Sequence, residues 1–338
     1  MIDLRSDTVT HPVKKMLETM FSARVGDDVF GDDPTVNELE EKAAKIFGFE
    51  KALFCPSGTM TNQIAVKIHT QPGEEVICHQ LSHIYNFEGG GIAFNSSASV
   101  RLIQGDRGRF KAKDVVENIN PDDIHHPSTS LVTIENTCNW GGGCFYDPAD
   151  IKEISYVAKE NNLKFHLDGA RIFNAFAETG ENPAEYGKLF DSISFCLSKG
   201  LGAPVGSLLL GSKEFIHRAR RIRKVLGGAM RQAGYLAAAG IYALDNHINR
   251  LKEDHQRAKI LGQIIEKLTY VEELVPVETN IVIFKLIDSF KSADFINQLA
   301  ERNIKVVPFG PQTIRMVTHL DFNDDMLGNV EKELQMFQ

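Results

Sequence analysis

Apolar and polar residues alternate with a period of two at several places along this 338-residue chain, and each such run predicts a strand. Ile193, Phe195 and Leu197 alternate with Ser194, Cys196 and Ser198, and the run reads as a buried strand that ends at Lys199. Glycines follow at 200, 202 and 206, then a second apolar run over 207–210. The stretches 76–78, 131–134 and 165–168 read the same way. Helical spacing appears at Val13, Met16, Leu17 and Met20, and over 151–158. It appears again at Val36, Leu39, Ala43, Ile46 and Phe47, where Asp33 caps the start, Pro34 sits in the first turn and Gly48 ends the helix. Strands alternating with helices predict an α/β fold, a parallel or mixed sheet between helix layers with its chemistry at the strand carboxyl ends.

From Leu244 to Leu268 the apolar residues step by three or four, which predicts one long amphipathic helix joining two lobes. Apolar runs at 281–284, 304–307 and 314–317 and a helix near 292–301 predict a small α+β lobe. The expected division is an N-terminal segment 1–25, a large domain 26–243 and a small C-terminal domain 244–338. A chain of this length buries a large core and favours two unequal lobes.

Composition excludes more than it assigns. The chain is 43% hydrophobic and 24% charged with a net charge of −8, which gives no electrostatic reason to expect nucleic acid or an anionic membrane. Its charged start argues against a signal peptide, and no uncharged apolar run is long enough for a bilayer. Five cysteines, at 55, 78, 138, 144 and 196, contain no C-x-x-C pair and suggest reduced thiols in a cytoplasm. No ligand spacing points to a metal; the acidic Gly26-Asp27-Asp28 turn and the His125-His126 stretch of a polar 106–130 segment read as solvated loops. The basic run 213–224 reads as a solvated helix face, since the chain as a whole is acidic.

Candidate chemistry gathers at three stretches. Lys199 stands between two apolar strands on a glycine-rich turn; apolar crowding disfavours the charged form, and a neutral amine can form a Schiff base. A strand-end lysine reaching water is the alternative. Asp168 ends another strand 199 − 168 = 31 residues upstream and can hold a pyridine nitrogen protonated, or can simply end a turn. Ser57-Gly58-Thr59 follows an apolar run and opens a helix, an arrangement that suits phosphate as well as an ordinary helix cap. Arg315, between Ile314 and Met316, either faces water at a sheet edge or needs an anionic partner such as a substrate carboxylate.

Eight segments, in this order from end to end, carry a family resemblance. They are Asp3-Leu4-Arg5-Ser6-Asp7-Thr8-Val9-Thr10, the 26–35 segment beginning Gly26-Asp27-Asp28, Ser57-Gly58-Thr59-Met60, Glu135-Asn136-Thr137, Asp168-Gly169-Ala170-Arg171-Ile172, the 197–207 segment around Lys199, Met230-Arg231-Gln232-Ala233-Gly234 and Arg315-Met316-Val317-Thr318-His319. The chain resembles the low-specificity L-threonine aldolases, which use pyridoxal 5′-phosphate on the fold type I scaffold, a mostly parallel seven-stranded sheet with a small C-terminal domain. The resemblance implies that Lys199 carries the cofactor, Asp168 faces its ring nitrogen and His83 stacks on its ring. It places Ser57, Gly58, Thr59 and Arg171 in the cofactor site, with Lys224 and Arg231 reaching the phosphate of a neighbouring subunit. Ser6, Arg171 and Arg315 fall at the substrate carboxylate. It further implies a cytoplasmic homotetramer, a dimer of dimers with shared sites, acting on a small amino acid.

Three positions depart from the pattern. Cys138 stands where a histidine near the substrate hydroxyl is usual, which leaves the β-carbon preference open; Thr61 and Phe30 replace a glycine and a tyrosine. The expected reaction is retro-aldol cleavage of L-threonine and L-allo-threonine to glycine and acetaldehyde. His83 and a bound water are both open as the base. The alternatives are a β-eliminating lyase acting on another amino acid and a non-catalytic cofactor-binding regulator.

Overall fold

The computed structural model describes residues 1–337. Seven strands form the main sheet: β1 (Lys51–Cys55), β2 (Glu75–His79), β3 (Ser99–Ile103), β4 (Thr129–Glu135), β5 (Lys164–Asp168), β6 (Ser192–Cys196) and β7 (Ser207–Gly211). Their spatial order is β1-β7-β6-β5-β4-β2-β3. The strands from β6 to β3 pair in parallel, while β7 pairs antiparallel with both β6 and β1. Every residue of β2, β6 and β7 is buried, as expected of strands covered on both faces.

Register brings the chemistry to one edge. Cys55 and Cys196 both pair with Ser207, and Glu135 pairs with Asp168, so the ends of β1, β6, β4 and β5 stand in one row with the start of β7. The helix Gly58–His69 begins at this edge, close enough that a Cβ on Gly58 would lie 2.7 Å from Cys196 Sγ. Alanine there would displace the sulfur or the turn.

A second sheet, Val271–Leu274, Ile281–Leu286, Val307–Pro308 and Thr313–Val317, is wholly antiparallel and has its own core with the helices Ser292–Glu301 and Asp324–Gln335. The chain's beginning joins this lobe: Ile2–Asp3 pairs with Ile304–Lys305, and Leu4 is buried in the second core. That pairing carries Ser6 and Asp7 to the main sheet's edge. Among the described residues no helix is long and apolar enough to cross a membrane.

Five sequence expectations need correction. The long helix is two, Gly234–Asn246 and Leu251–Ile265; His247, at the break, has Nδ1 2.7 Å from the Leu201 carbonyl oxygen. Asn246, His247 and Asn249 are poor helix formers, so the periodic apolar stripe continues across a turn. The strand before Lys199 ends at Cys196, because Leu197 donates instead to the Gly206 carbonyl and opens the connection to β7. The 106–130 segment contains a helix, Ala112–Asn118, that buries Val115 beside Phe110, although His125 and His126 are exposed. The basic helix Lys213–Val225 and the Asp27-Asp28 turn are not simply solvated. Arg223 is buried and pairs with buried Asp28 at 2.5 Å, and it also donates to the Phe54 carbonyl at 2.6 Å.

Candidate active site

Asp168, the last residue of β5, is buried, and one of its oxygens accepts from the backbone N–H of Ala170 at 3.1 Å. Its other oxygen accepts from Asn62 Nδ2 at 2.8 Å, and the same amide nitrogen donates to Glu88 Oε1 at 2.9 Å. The Asn62 oxygen faces Ser194 Oγ at 2.6 Å and His166 Nε2 at 3.2 Å. Burial pushes His166 down to about 4, so it is neutral and donates through Nε2 while Nδ1 accepts from Ser192 Oγ at 2.8 Å. Asn62 is thereby locked with its donor toward the two carboxylates.

His83 opens a one-turn helix past β2, with Nδ1 2.9 Å from Glu88 Oε1 and its backbone N–H donating to Glu135 Oε2 at 2.8 Å. Ligand-capable atoms of His83, Glu88 and Asp168 all lie within 4.8 Å of one another. Burial disfavours the imidazolium, but the Glu88 hydrogen bond and the charges of Asp168, Glu88 and Glu135 outweigh it and raise the pKa above the ordinary histidine value. Burial and the nearby Asp168 charge raise the Glu135 carboxyl above its usual range. Its Oε1 accepts from the Asn139 N–H at 2.9 Å, which links this cluster to the next.

Asn139 Oδ1 accepts from Arg315 Nη1 at 3.0 Å, and Arg315 Nη2 donates to the Arg5 carbonyl at 3.0 Å. Arg315 Nε is buried with no partner among the described residues, and its guanidinium lies over the Phe309 ring at 4.9 Å. Burial and repulsion from Arg171, only partly offset by Asp7, bring Arg315 down to about 10. Arg171 is itself occupied: Nε and Nη2 donate to the two Asp7 oxygens at 2.7 and 2.6 Å. Burial pushes the Asp7 carboxyl up, yet the Arg171 charge and hydrogen bonds, with Lys199 and Arg315 nearby, hold it at about 2. Ser6 precedes Asp7 and caps the turn Asp7–Val9 by accepting from the Thr8 N–H at 3.2 Å. Lys199 is half-buried in the connection after β6, its carbonyl accepting from the Gly202 N–H at 2.8 Å.

Most of the anticipated residues therefore meet at one edge: Lys199, Asp168, His83, Arg171, Arg315 and Ser6, with Ser57, Gly58 and Thr59 at the adjoining helix start, where Ser57 Oγ accepts from the Met60 N–H at 3.2 Å. Lys224 and Arg231 stand apart and exposed, Arg231 paired with Asp27 at 2.9 Å. Cys138 is buried against Cys144 and Gly108, its thiol donating to the Glu135 carbonyl at 2.9 Å. Asp7, Asn62, Glu88, Glu135 and Asn139 were missed as members of the site. A buried acid next to a serine, or an asparagine inside a helix, reads from sequence as surface polarity; only the register reveals their partners.

This edge combines a lysine, a strand-end carboxylate, a helix N-terminus and a partly unpartnered guanidinium, which fits a phosphorylated pyridine aldehyde carrying an amino acid. Residues 3–289 match the family model described as beta-eliminating lyase. The chain belongs to the beta-eliminating lyase family. Over 338 residues it is 43% identical to the low-specificity L-threonine aldolase of Escherichia coli K12, covering 100% of this chain and 99% of that one. It is 40% identical over 332 residues to a probable low-specificity L-threonine aldolase 2 of Arabidopsis thaliana, covering 96% of this chain and 93% of that protein. Two solved structures share the fold of this family member. A Leishmania major threonine aldolase superposes with TM-score 0.85 at 22% identity, covering 100% of this chain and 99% of that chain. A Sphingomonas wittichii serine palmitoyltransferase gives 0.78 at 17%, covering 99% of this chain and 86% of that one.

Proposed function

We propose that this protein is a pyridoxal-phosphate lyase that cleaves L-threonine and L-allo-threonine to glycine and acetaldehyde. The observation that carries the reading is the meeting of Lys199, Asp168 and the unpartnered Arg315 Nε at one sheet edge, in a chain 43% identical along its whole length to a threonine aldolase. Bound there, the cofactor supplies an electron sink for the bond that breaks at the substrate's Cα. Lys199 would hold the cofactor through its aldehyde. Asp168, fixed by Asn62, keeps the ring nitrogen protonated, while Ser57, Gly58 and Thr59 cradle the phosphate at the helix start.

Arg315 receives the carboxylate through Nε, with Ser6 beside it. Arg171 contributes charge from its pair with Asp7 rather than a free fork. Residues that hold the carboxylate at one end and the cofactor at the other would fix the substrate's orientation and so select which Cα bond breaks. Glu88 fixes His83, which would pack beside the cofactor ring, and stabilises its charged form. With Cys138 turned into the core, the proton of the β-hydroxyl goes to His83 or to a water it positions. Lys224 and Arg231, exposed in one chain, complete a neighbouring subunit's phosphate site in a cytoplasmic homotetramer.

The test is release of glycine and acetaldehyde from both isomers by the cofactor-loaded protein, with Lys199→Ala alongside. Turnover that vanishes with the lysine is the expected result. Cofactor-loaded wild-type protein inert on both isomers would refute the reading and direct attention to β-elimination substrates.

A further inference from the structure

We propose that Cys138 and Cys144 are a modification site, a thiol pair that closes reversibly to a disulfide and loosens the adjoining carboxylate site. The proposal goes beyond the aldolase reading, and only its effect on substrate affinity rests on that reading. The two residues face each other across an isolated antiparallel bridge, in which the Cys138 N–H donates to the Cys144 carbonyl at 2.8 Å and the Gly143 N–H to the Cys138 carbonyl at 2.9 Å. Residues opposed in this way have Cα atoms about 4.5–5.5 Å apart, inside the span of about 4.4–6.8 Å that a disulfide needs. The backbone therefore already stands at bridging distance.

The reduced arrangement is held only weakly. Cys138 Sγ donates to the Glu135 carbonyl at 2.9 Å and Cys144 Sγ to the Arg107 carbonyl at 3.1 Å. Thiol hydrogen bonds are weak, so rotating both sulfurs inward gives up little. The pair is also chemically unequal. The Cys138 thiol, then the charges of Arg109 and Arg107, lower the Cys144 pKa despite burial, whereas contact with Cys144 and burial raise that of Cys138. Arg107 Nε donates to the Gly141 carbonyl at 2.9 Å and Arg109 Nη1 to the Phe145 carbonyl at 2.9 Å, so both guanidiniums are fixed beside the hairpin. By contrast, burial pushes the Cys55 and Cys78 thiols up to about 12.

Cys138 and Cys144 are only 3% and 0% exposed, so the oxidant must be small and uncharged; hydrogen peroxide qualifies. The Cys144 thiolate attacks one peroxide oxygen and the O–O bond breaks. The departing hydroxide takes a proton and leaves as water, and Cys144 becomes a sulfenic acid. The Cys138 sulfur then attacks the Cys144 sulfur, the S–O bond breaks and a second water leaves with the Cys138 proton. Two thiols have lost two protons and two electrons, and one peroxide has become two waters.

Function enters through the residues between the cysteines. Asn139 holds Arg315 at 3.0 Å, and Trp140 stacks on Phe309 at 4.0 Å. Turning the Cys138 sulfur toward Cys144 gives up its bond to the Glu135 carbonyl and loosens the 135–139 turn that holds Asn139 against Arg315, so the oxidised protein binds the amino-acid carboxylate less well. Loss of one hydrogen bond to a charged group predicts a rise in KM of about tenfold.

The experiment treats full-length, cofactor-loaded protein with hydrogen peroxide, blocks free thiols under denaturation, and maps the cysteine peptides by mass spectrometry. The expected product is a 138–144 peptide lighter by two hydrogens and unblocked, with Cys55, Cys78 and Cys196 blocked, all reversed by dithiothreitol. Full blocking of Cys138 and Cys144, or oxidation of either to a sulfinic acid instead, would overturn the site. Kinetics on the same samples should show the KM rise in wild type and none in Cys144→Ser, with Cys144→Ala as a second variant should the serine fail to fold. An unchanged KM in protein shown to hold the disulfide would overturn the link through Asn139, and the aldolase reading would stand.

Discussion

Asp7→Asn preserves side-chain shape and removes one buried charge. Asp7 is wholly buried, and its partner Arg171 has a side chain only 6% exposed. An asparagine offers one acceptor where the guanidinium uses two, and leaves Arg171 charged with Lys199 and Arg315 nearby. Breaking one side of such a buried pair costs about 3–5 kcal/mol. The proton gives an independent measure. Asp7 falls from the ordinary 3.8 to about 2, which at about 1.4 kcal/mol for each tenfold change is about 2 kcal/mol. Because the folded value lies below the unfolded one, this contribution is full above about pH 4 and disappears as pH falls toward 2. Wild type and variant should therefore differ by several kcal/mol at neutral pH and converge in acid. Urea denaturation followed by the fluorescence of Trp140, the single tryptophan, measures this at pH 7 and pH 3. Asp3→Asn is the control: its partner Arg5 is 44% exposed, so the loss should stay within about 1 kcal/mol. An Asp7→Asn loss no larger than the control's, or a loss undiminished in acid, would refute the reasoning.

Two further outcomes follow from the site's hydrogen bonds. Arg315→Lys cannot keep its bonds to Asn139 and Arg5 while offering a further donor, so KM for threonine should rise about tenfold to a hundredfold with little change in cofactor absorbance; an unchanged KM would place the carboxylate elsewhere. Glu88→Gln removes the carboxylate that raises His83, so the His83 titration, followed by imidazole NMR, should move down. A stationary titration would mean that Asp168 and Glu135 alone set it.

The sheet was legible because a buried strand leaves a short, apolar-rich stretch, often alternating with small polar residues, and 131–134, 165–168 and 193–197 carry it. Lys199, Asp168 and Ser57 were legible for a related reason: each follows such a run, and α/β folds place their chemistry at strand ends. What stayed hidden depends on pairing between distant segments. Asp28 sits in an acidic turn and Arg223 on a basic helix, and both read as solvated until the fold sets them 2.5 Å apart. The helix break at His247 escaped because the apolar stripe continues through Ile248 and Leu251, while the His247 side chain meets the Leu201 carbonyl, 46 residues away in sequence. Ser6 was legible only through the family resemblance. It is fixed because Leu4 is buried in the second lobe and its neighbours pair with 304–305.

The charges divide the site in a way that single residues do not suggest. One side holds Asp168, Glu88 and Glu135, with His83 against them; the other holds Arg171, Arg315 and Lys199, with Asp7 as the paired counter-charge. Each side is thus short of the opposite sign. Three carboxylates with one histidine favour a further positive centre, which is what a protonated ring nitrogen brings. Three cations with one carboxylate favour a further negative centre, which is what an amino-acid carboxylate brings. Glu135 and Asn139 tie the halves together, since Glu135 binds the N–H groups of His83 and Asn139 while Asn139 binds Arg315. A ligand with both charges is therefore held in one orientation before any group reacts. That orientation is the condition for breaking one Cα bond rather than another.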